Sequence, residues 1–297
     1  MNNREQKSRL YRDIKTLTTI LVVMGHVIVM YTANGAIPVS GRSLLLQKLT
    51  DFIYSFHIPL FYIVTGAVFG YCIENGKYKD SKGFIINKCR KLLVPYLVFG
   101  VFYVTPVMKY VGLLNVRLGE YIEKGILLSR NPRHLWFLMA LFWIYVSFVP
   151  MKELIRKKTI WGMVAAGAVC LFIYKCAYEM PQDYQIRRAC LDQHWFYMGM
   201  LFHYSYDFLS PFWNWAGKAT SFLSKVWNCP VMMKISRNSF GIYLIHPMII
   251  YVSFHWLGQS QIHPVILSIG IFGVAMMFSV IGTELIRKIG LEFVIGE

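Results

Sequence analysis

Apolar residues in this chain fall into long unbroken runs. They show neither the strict alternation of a half-buried strand nor the narrow stripe of a soluble helix. The runs lie near residues 15–33, 52–73, 92–114, 135–151, 160–177, 194–209, 240–257 and 264–286. A membrane-crossing helix needs about 20 predominantly apolar residues; most runs approach this, the fourth and sixth being the shortest. In lipid an exposed backbone must bond to itself, which open sheets and loops cannot do. The pattern predicts an all-α fold: a polytopic transmembrane helical bundle of about eight spans. Residues 210–239 contain PFWNWAGKATSFLSKVW, where aromatic residues sit beside charges; this stretch reads as interfacial. No internal repeat, low-complexity tract or separate soluble domain interrupts the runs.

The N-terminus invites comparison with a signal peptide, because basic residues precede an apolar stretch and Ala33-Asn34-Gly35-Ala36 follows it. The run is about 18 residues, long for a signal sequence, and carries His26 in its middle. It reads as an uncleaved first span.

Composition supports a membrane class. The chain is 56% hydrophobic and 15% charged, with a mean hydropathy of +0.45, against about 45–50% apolar and about 25% charged in soluble domains. A formal net charge of +16 raises the question of nucleic acid, but no RNP or zinc-finger pattern accompanies it, and we expect no nucleic-acid partner. The cations alternate between connections instead. Arg4, Lys7, Arg9, Arg12 and Lys15 precede the first run. Lys77, Lys79, Lys82, Lys88, Arg90 and Lys91 follow the second, Lys152, Arg156, Lys157 and Lys158 the fourth, and Lys218, Lys225, Lys234 and Arg237 the sixth. The other connections are poorer in cations. The positive-inside rule therefore places both termini in the cytoplasm, with basic loops against an anionic leaflet and membrane lipid as a partner. The six cysteines show no CxxC spacing and read as free thiols; Cys176 and Cys190 are the one pair that could meet on the outer side.

Candidate chemistry starts in the first run. His26 stands eleven residues beyond Lys15, roughly 16 Å along a helix. With Lys15 at the headgroups, His26 lies near the midplane, where a titratable group is a functional candidate; a hydrogen-bonded packing histidine is the bland alternative. His57 sits in Phe56-His57-Ile58-Pro59-Leu60-Phe61, where a proline frees a backbone carbonyl. His246 is likewise coupled to Pro247 in Ile242-Tyr243-Leu244-Ile245-His246-Pro247. Lys88, Arg90 and Lys91 at the cytosolic mouth of the third run suit either topology anchoring or the phosphates of an anionic cosubstrate such as coenzyme A. Trp136, in His134-Leu135-Trp136-Phe137-Leu138, fits an interfacial belt. Glu284 precedes Arg287 by three residues and is either a surface ion pair or a carboxylate for catalysis. No HExxH, GxSxG, P-loop or dinucleotide fingerprint occurs, and the dispersion of His26, His57, His246 and Glu284 points to no metal.

The ordered set resembles the membrane-bound acyltransferase 3 family, particularly its branch similar to fucose 4-O-acetylases. The matching pieces are Lys15-x10-His26, Phe56 to Phe61 through Gly66, Lys88-x-Arg90 before Pro95, His134 to Leu138, and Ile242 to Pro247. The resemblance implies one integral-membrane acyltransferase domain over residues 1–297. It implies an O-acyltransferase, and most often an O-acetyltransferase, that uses cytosolic acetyl-CoA. The acceptor would be a hydroxyl of a cell-surface or exopolysaccharide sugar or a lipid-linked glycan, and the location a bacterial inner or plasma membrane. Carried over, His26 is catalytic and Glu284 falls where many members have a late-helix Glu. Lys15, His57, Lys88, Arg90, Trp136, Tyr243 and His246 become substrate-binding candidates. Two departures are visible. Members commonly carry an Asp three residues before the basic residue, whereas Asp13 is two before Lys15. Members also commonly have ten spans, and the two missing here fall between the sixth and seventh runs.

An alcohol needs a base to become a nucleophile, and a histidine suits that role near neutral pH. His26 is expected to activate the acceptor hydroxyl or to carry the acyl group transiently. Two other classes remain open at this point: a small secondary transporter with an intramembrane proton relay, and a non-catalytic membrane sensor.

Overall fold

The computed structural model describes residues 3–157, 159–206 and 227–297. Among the described residues, every apolar run expected from the sequence forms a helix. These are α1 (Asn3–Ile28), α2 (Leu44–Glu74), α3 (Ser81–Tyr110), α4 (Trp136–Phe148), α5 (Ile160–Cys176), α6 (Ile186–Ser205), α7 (Pro230–Leu257) and α8 (Pro264–Lys288). Among the described residues there is no strand, and the protein is an all-α, multi-pass membrane protein. The Trp- and Lys-rich stretch expected at the interface lies outside the described residues as far as 226, as do Lys158, Lys218 and Lys225. All six cysteines are free thiols, Cys176 and Cys190 included.

By length and composition six described helices can cross a bilayer: α1, α2, α3, α5, α7 and α8. The expectation of about eight differs at two places. Helix α4 has 13 residues, roughly 20 Å. Helix α6 is 20 residues long but carries Arg187, Arg188, Asp192 and Gln193 in its first half. Helices α1, α2, α3 and α7 also begin well before their apolar runs. A helix does not stop where lipid stops, and local caps decide its end. The Asp80 carboxylate accepts from the backbone N–H of Lys82 (3.0 Å) and Gly83 (2.7 Å), a cap worth about 1 kcal/mol. Helix α3 widens to π geometry at Cys89–Leu93 and Gly100–Val104, just before Pro95 and Pro106. A proline ring has no N–H and clashes with the carbonyl four residues back; a wider turn relieves that clash.

Contacts group the chain into two compact units. The first comprises residues 1–16, 59–89 and 137–236. Within it α2 and α6 touch backbone to backbone. A Cβ at Gly66 would overlap the Phe196 carbonyl oxygen, and one at Gly199 would overlap that of Ile63; small residues allow this approach. Aromatic rings fill the space around the crossing, with Phe196 4.8 Å from Phe148 and 5.3 Å from Phe69 between centroids. Lys152 is only 4% exposed and donates to the carbonyls of Tyr78 (2.9 Å) and Lys79 (2.8 Å), the pairing a buried cation requires.

The second unit comprises residues 17–58, 90–136 and 237–297. Gly25 lets α1 approach α2: a Cβ there would stand 3.1 Å from Tyr54 Cε2 and 3.2 Å from Ile53 Cγ2. Gly241 of α7 faces Thr283 of α8 so closely that any side chain would overlap the Thr283 hydroxyl. The segment after α1 is tied to the end of α7 by Ser40 N–H donating to the Gly258 carbonyl (2.7 Å).

Candidate active site

The second unit holds a cavity of about 240 Å³ whose wall includes His26, Tyr54, Arg133, His134, Trp136 and Tyr251. Small-molecule sites typically measure about 300–1,000 Å³. This one lies just below that range.

Proline chemistry positions the histidines. Pro247 has no N–H to give the Tyr243 carbonyl one turn earlier. Beside that gap, side chains bond the neighbouring carbonyls of α7. His134 Nε2–H donates to Leu244 O (3.1 Å) and Tyr103 O–H to Ile245 O (2.9 Å). The Tyr243 hydroxyl donates in return to the His134 carbonyl. The stretch before α4 and the middle of α7 are thereby fixed to one another.

His246 is fully buried. Its Nδ1 lies 2.6 Å from the Ile242 carbonyl. A carbonyl only accepts, so Nδ1 carries the hydrogen, and Nε2 of the neutral ring is an acceptor. His26 Nδ1 lies 2.8 Å from that Nε2 and must therefore be the donor. The two rings are nearly parallel (14°) with centroids 5.0 Å apart. With so short a nitrogen contact they meet edge to edge, which keeps the N–H in the plane of its acceptor's lone pair. The tautomer chain runs from His26 Nδ1–H to His246 and from His246 Nδ1–H to Ile242 O. It leaves the His26 Nε2 lone pair outside the relay: a base nitrogen on a half-buried side chain that lines the cavity.

The other expected site residues divide clearly. Trp136 lines the cavity, and Tyr243 and His246 brace it. His57 is 3% exposed; its Nδ1–H donates to Ile53 O (2.9 Å) and its ring lies 4.6 Å from Tyr54, so it backs the wall without lining it. Glu284 is not in the cavity lining. It accepts from Asn238 Nδ2 (3.4 Å), eight residues before His246, or roughly 12 Å along α7. Glu284 acts electrostatically on Arg287 within a wider cluster, in which Arg287 donates to Asn238 Oδ1 (2.6 Å) and to both Glu297 oxygens (2.7 and 2.5 Å).

Of the basic residues, Lys15 and Lys88 belong to the first unit and Arg90 to the second. Lys15 and Arg90 are exposed. The Lys88 ammonium lies 3.8 Å from the Tyr145 ring centroid, with Tyr78 and Phe84 at 5.3 and 5.4 Å. Asp13 pairs with its neighbour Arg12 (2.8 Å). Sequence reasoning did not place Arg133, His134, Tyr54 or Tyr251 in the site. His134 was legible inside its motif; Arg133 counted only as a loop charge. Among the described residues no group of three or more His, Cys, Asp or Glu is arranged to hold a metal ion.

The fold and the site together define the class: a multi-pass helical membrane protein that holds a relay-fixed imidazole beside a cavity. The family model described as an acyltransferase domain (acyltransferase 3) matches residues 13–224, and the chain belongs to that family. The match includes His26, His57, Lys88, Arg90 and Trp136; Tyr243, His246 and Glu284 lie beyond it. No curated protein and no solved structure matches the chain significantly.

Proposed function

We propose that this membrane acyltransferase is an O-acetyltransferase, of the kind that resembles fucose 4-O-acetylases. It takes acetyl from cytosolic acetyl-CoA and gives it to a hydroxyl of a cell-surface or lipid-linked sugar, in a bacterial inner or plasma membrane with both termini cytosolic. The observation that carries the reading is the tautomer chain, which reserves the His26 Nε2 lone pair. The acceptor O–H gives its proton to Nε2 as its oxygen attacks the thioester carbonyl. The C–S bond then breaks, and the coenzyme A thiolate takes up the proton. Base catalysis of this kind contributes roughly 10²–10⁴-fold. His246 acts through His26 and is a positioning residue. The exposed cation Arg90, in the same unit as His26, is the proposed grip for the coenzyme phosphates. Lys88, against its aromatic rings, has a packing role within the first unit. Glu284 holds Asn238 and the cytosolic end of α7.

The test is acetyl-CoA-dependent thiol release by detergent-purified protein, together with mass spectrometry of surface glycans from cells with and without the chain. The reading expects acceptor-stimulated thiol release and an acetyl group on a glycan. Absence of both, with solute uptake in proteoliposomes, would replace it with a transporter.

A further inference from the structure

Two adjacent residues on the cavity wall carry buried polar atoms that lack a hydrogen-bond partner among the described residues: Arg133 Nε and His134 Nδ1. Their chemistry is complementary. Arg133 Nε is a cationic N–H donor. His134 gives its Nε2 hydrogen to Leu244 O, so the Nδ1 of the neutral ring is an acceptor. Leaving such a group unpaired is costly, and here donor and acceptor stand side by side.

The surroundings of Arg133 do not neutralise it. Among the described residues that line the cavity there is no Asp or Glu. Its guanidinium meets the Tyr121 hydroxyl and lies near Tyr251, both uncharged phenols. Its backbone sits at φ +53°, in the left-handed region that a side chain disfavours. Its side chain lies on the wall that also presents His26.

We propose that the acceptor is anionic: its carboxylate or phosphate pairs with Arg133, and a hydroxyl nearby donates to His134 Nδ1. The substrate class is then an acidic glycan unit, a uronate or a phosphate-substituted sugar, rather than a neutral one. The inference rests on the acyl-transfer reading for the identity of the ligand as acceptor, and on the cavity alone for its charge.

The experiment compares methyl glucoside, methyl glucuronide and glucose 6-phosphate as acceptors for the detergent-purified full chain, with acetyl-CoA as donor. Wild type should favour an anionic acceptor by about tenfold or more in kcat/KM, as expected when a built charge-assisted contact goes unmet by the neutral analogue. The glucuronide and phosphate arms identify which anion is used. Arg133→Gln should bring the anionic-to-neutral ratio close to one, and Arg133→Lys should retain part of it. Equal wild-type rates on all three acceptors would overturn the inference and leave acyl transfer standing. An unchanged ratio with all rates lowered in Arg133→Gln would assign the charge to the reaction's own oxyanion. A raised KM for acetyl-CoA alone would assign it to the donor. Melting temperatures with each sugar and no acetyl-CoA read the charge independently of turnover. If no acceptor is acetylated, stabilisation of wild type but not Arg133→Gln by an anionic sugar keeps the anion site and removes the acyl-transfer reading. No stabilisation removes both.

Discussion

The two units each contain a histidine relay, and the relays end differently. In the first unit the Tyr11 hydroxyl donates to His203 Nδ1 (2.7 Å), and His203 Nε2–H donates to the Glu74 carboxylate (2.9 Å). His203 is fully buried, and both of its nitrogens are engaged. In the second unit His26 gives one hydrogen to His246 and keeps its other nitrogen outside the relay, on a residue that lines a cavity. The other polar groups follow the same division. Lys152 is held by two carbonyls and Lys88 lies against three rings, whereas Arg133 Nε and His134 Nδ1 are left open. Saturated polar groups hold a fold, and open ones beside a cavity are available for chemistry. Residue type alone does not separate the two.

The comparison breaks first at packing. Gly199→Leu places a side chain where even a Cβ overlaps the Ile63 carbonyl. Overpacking at a backbone contact should cost about 3 kcal/mol, visible as a large fall in melting temperature in detergent. An unchanged melting temperature would mean that α2 and α6 do not meet there.

In the second unit, His246→Ala removes the acceptor that fixes the His26 tautomer. It should lower kcat by roughly ten- to a hundredfold, the equivalent of about 1–3 kcal/mol. His246→Asn can donate to Ile242 O and accept from His26, and should recover much of that loss. An Asn variant as slow as Ala would contradict the relay.

The basic residues sharpen the same contrast. Arg90→Ala should raise the KM for acetyl-CoA about tenfold or more, since a charge-assisted contact is worth about 1.5–3 kcal/mol. Lys88→Met should register mainly in melting temperature, with up to about 2 kcal/mol of cation–π attraction lost. The reverse pattern would exchange their roles.

The smallest effect concerns the segment after α8. The bidentate hydrogen bonds from Arg287 hold the Glu297 carboxyl below its ordinary range. A depressed folded-state pKa stabilises above the ordinary carboxylate range, and the contribution is lost as pH falls through the folded value. Hydrogen exchange over residues 290–297, relative to its intrinsic rate at each pH, should therefore quicken below about pH 4. In Arg287→Gln it should be fast at every pH. Exchange insensitive to both changes would dissolve the clasp.

Much of the fold was legible because lipid imposes a coarse rule: each apolar run became a helix. Helix starts were not, because Asp80 and the π turns before Pro95 and Pro106 act through local backbone geometry that hydropathy ignores. Helix α6 forms despite its charged first half because Gly66 and Gly199 bring it against α2. In the site, His26 was legible from its depth in the first run and Trp136 from its motif. The His26–His246 bond joins residues 220 positions apart, and only tertiary structure reveals it. Arg133 reaches the cavity through a left-handed backbone at a residue that is neither Gly nor Asn, which leaves no trace in composition. Lys88 read as a topology anchor or a phosphate grip because the ring of Tyr145 is distant in sequence.

The most direct measurement sets His26→Gln beside His203→Gln, with acetyl transfer and melting temperature recorded on the same purified samples. Glutamine keeps hydrogen-bonding capacity and cannot serve as a base near neutrality. The account predicts that His26→Gln melts close to wild type and loses roughly 10²–10⁴-fold in kcat. His203→Gln should melt lower, with activity that tracks the folded fraction. A folded His26→Gln protein with near wild-type turnover would contradict the account and remove His26 from the chemistry.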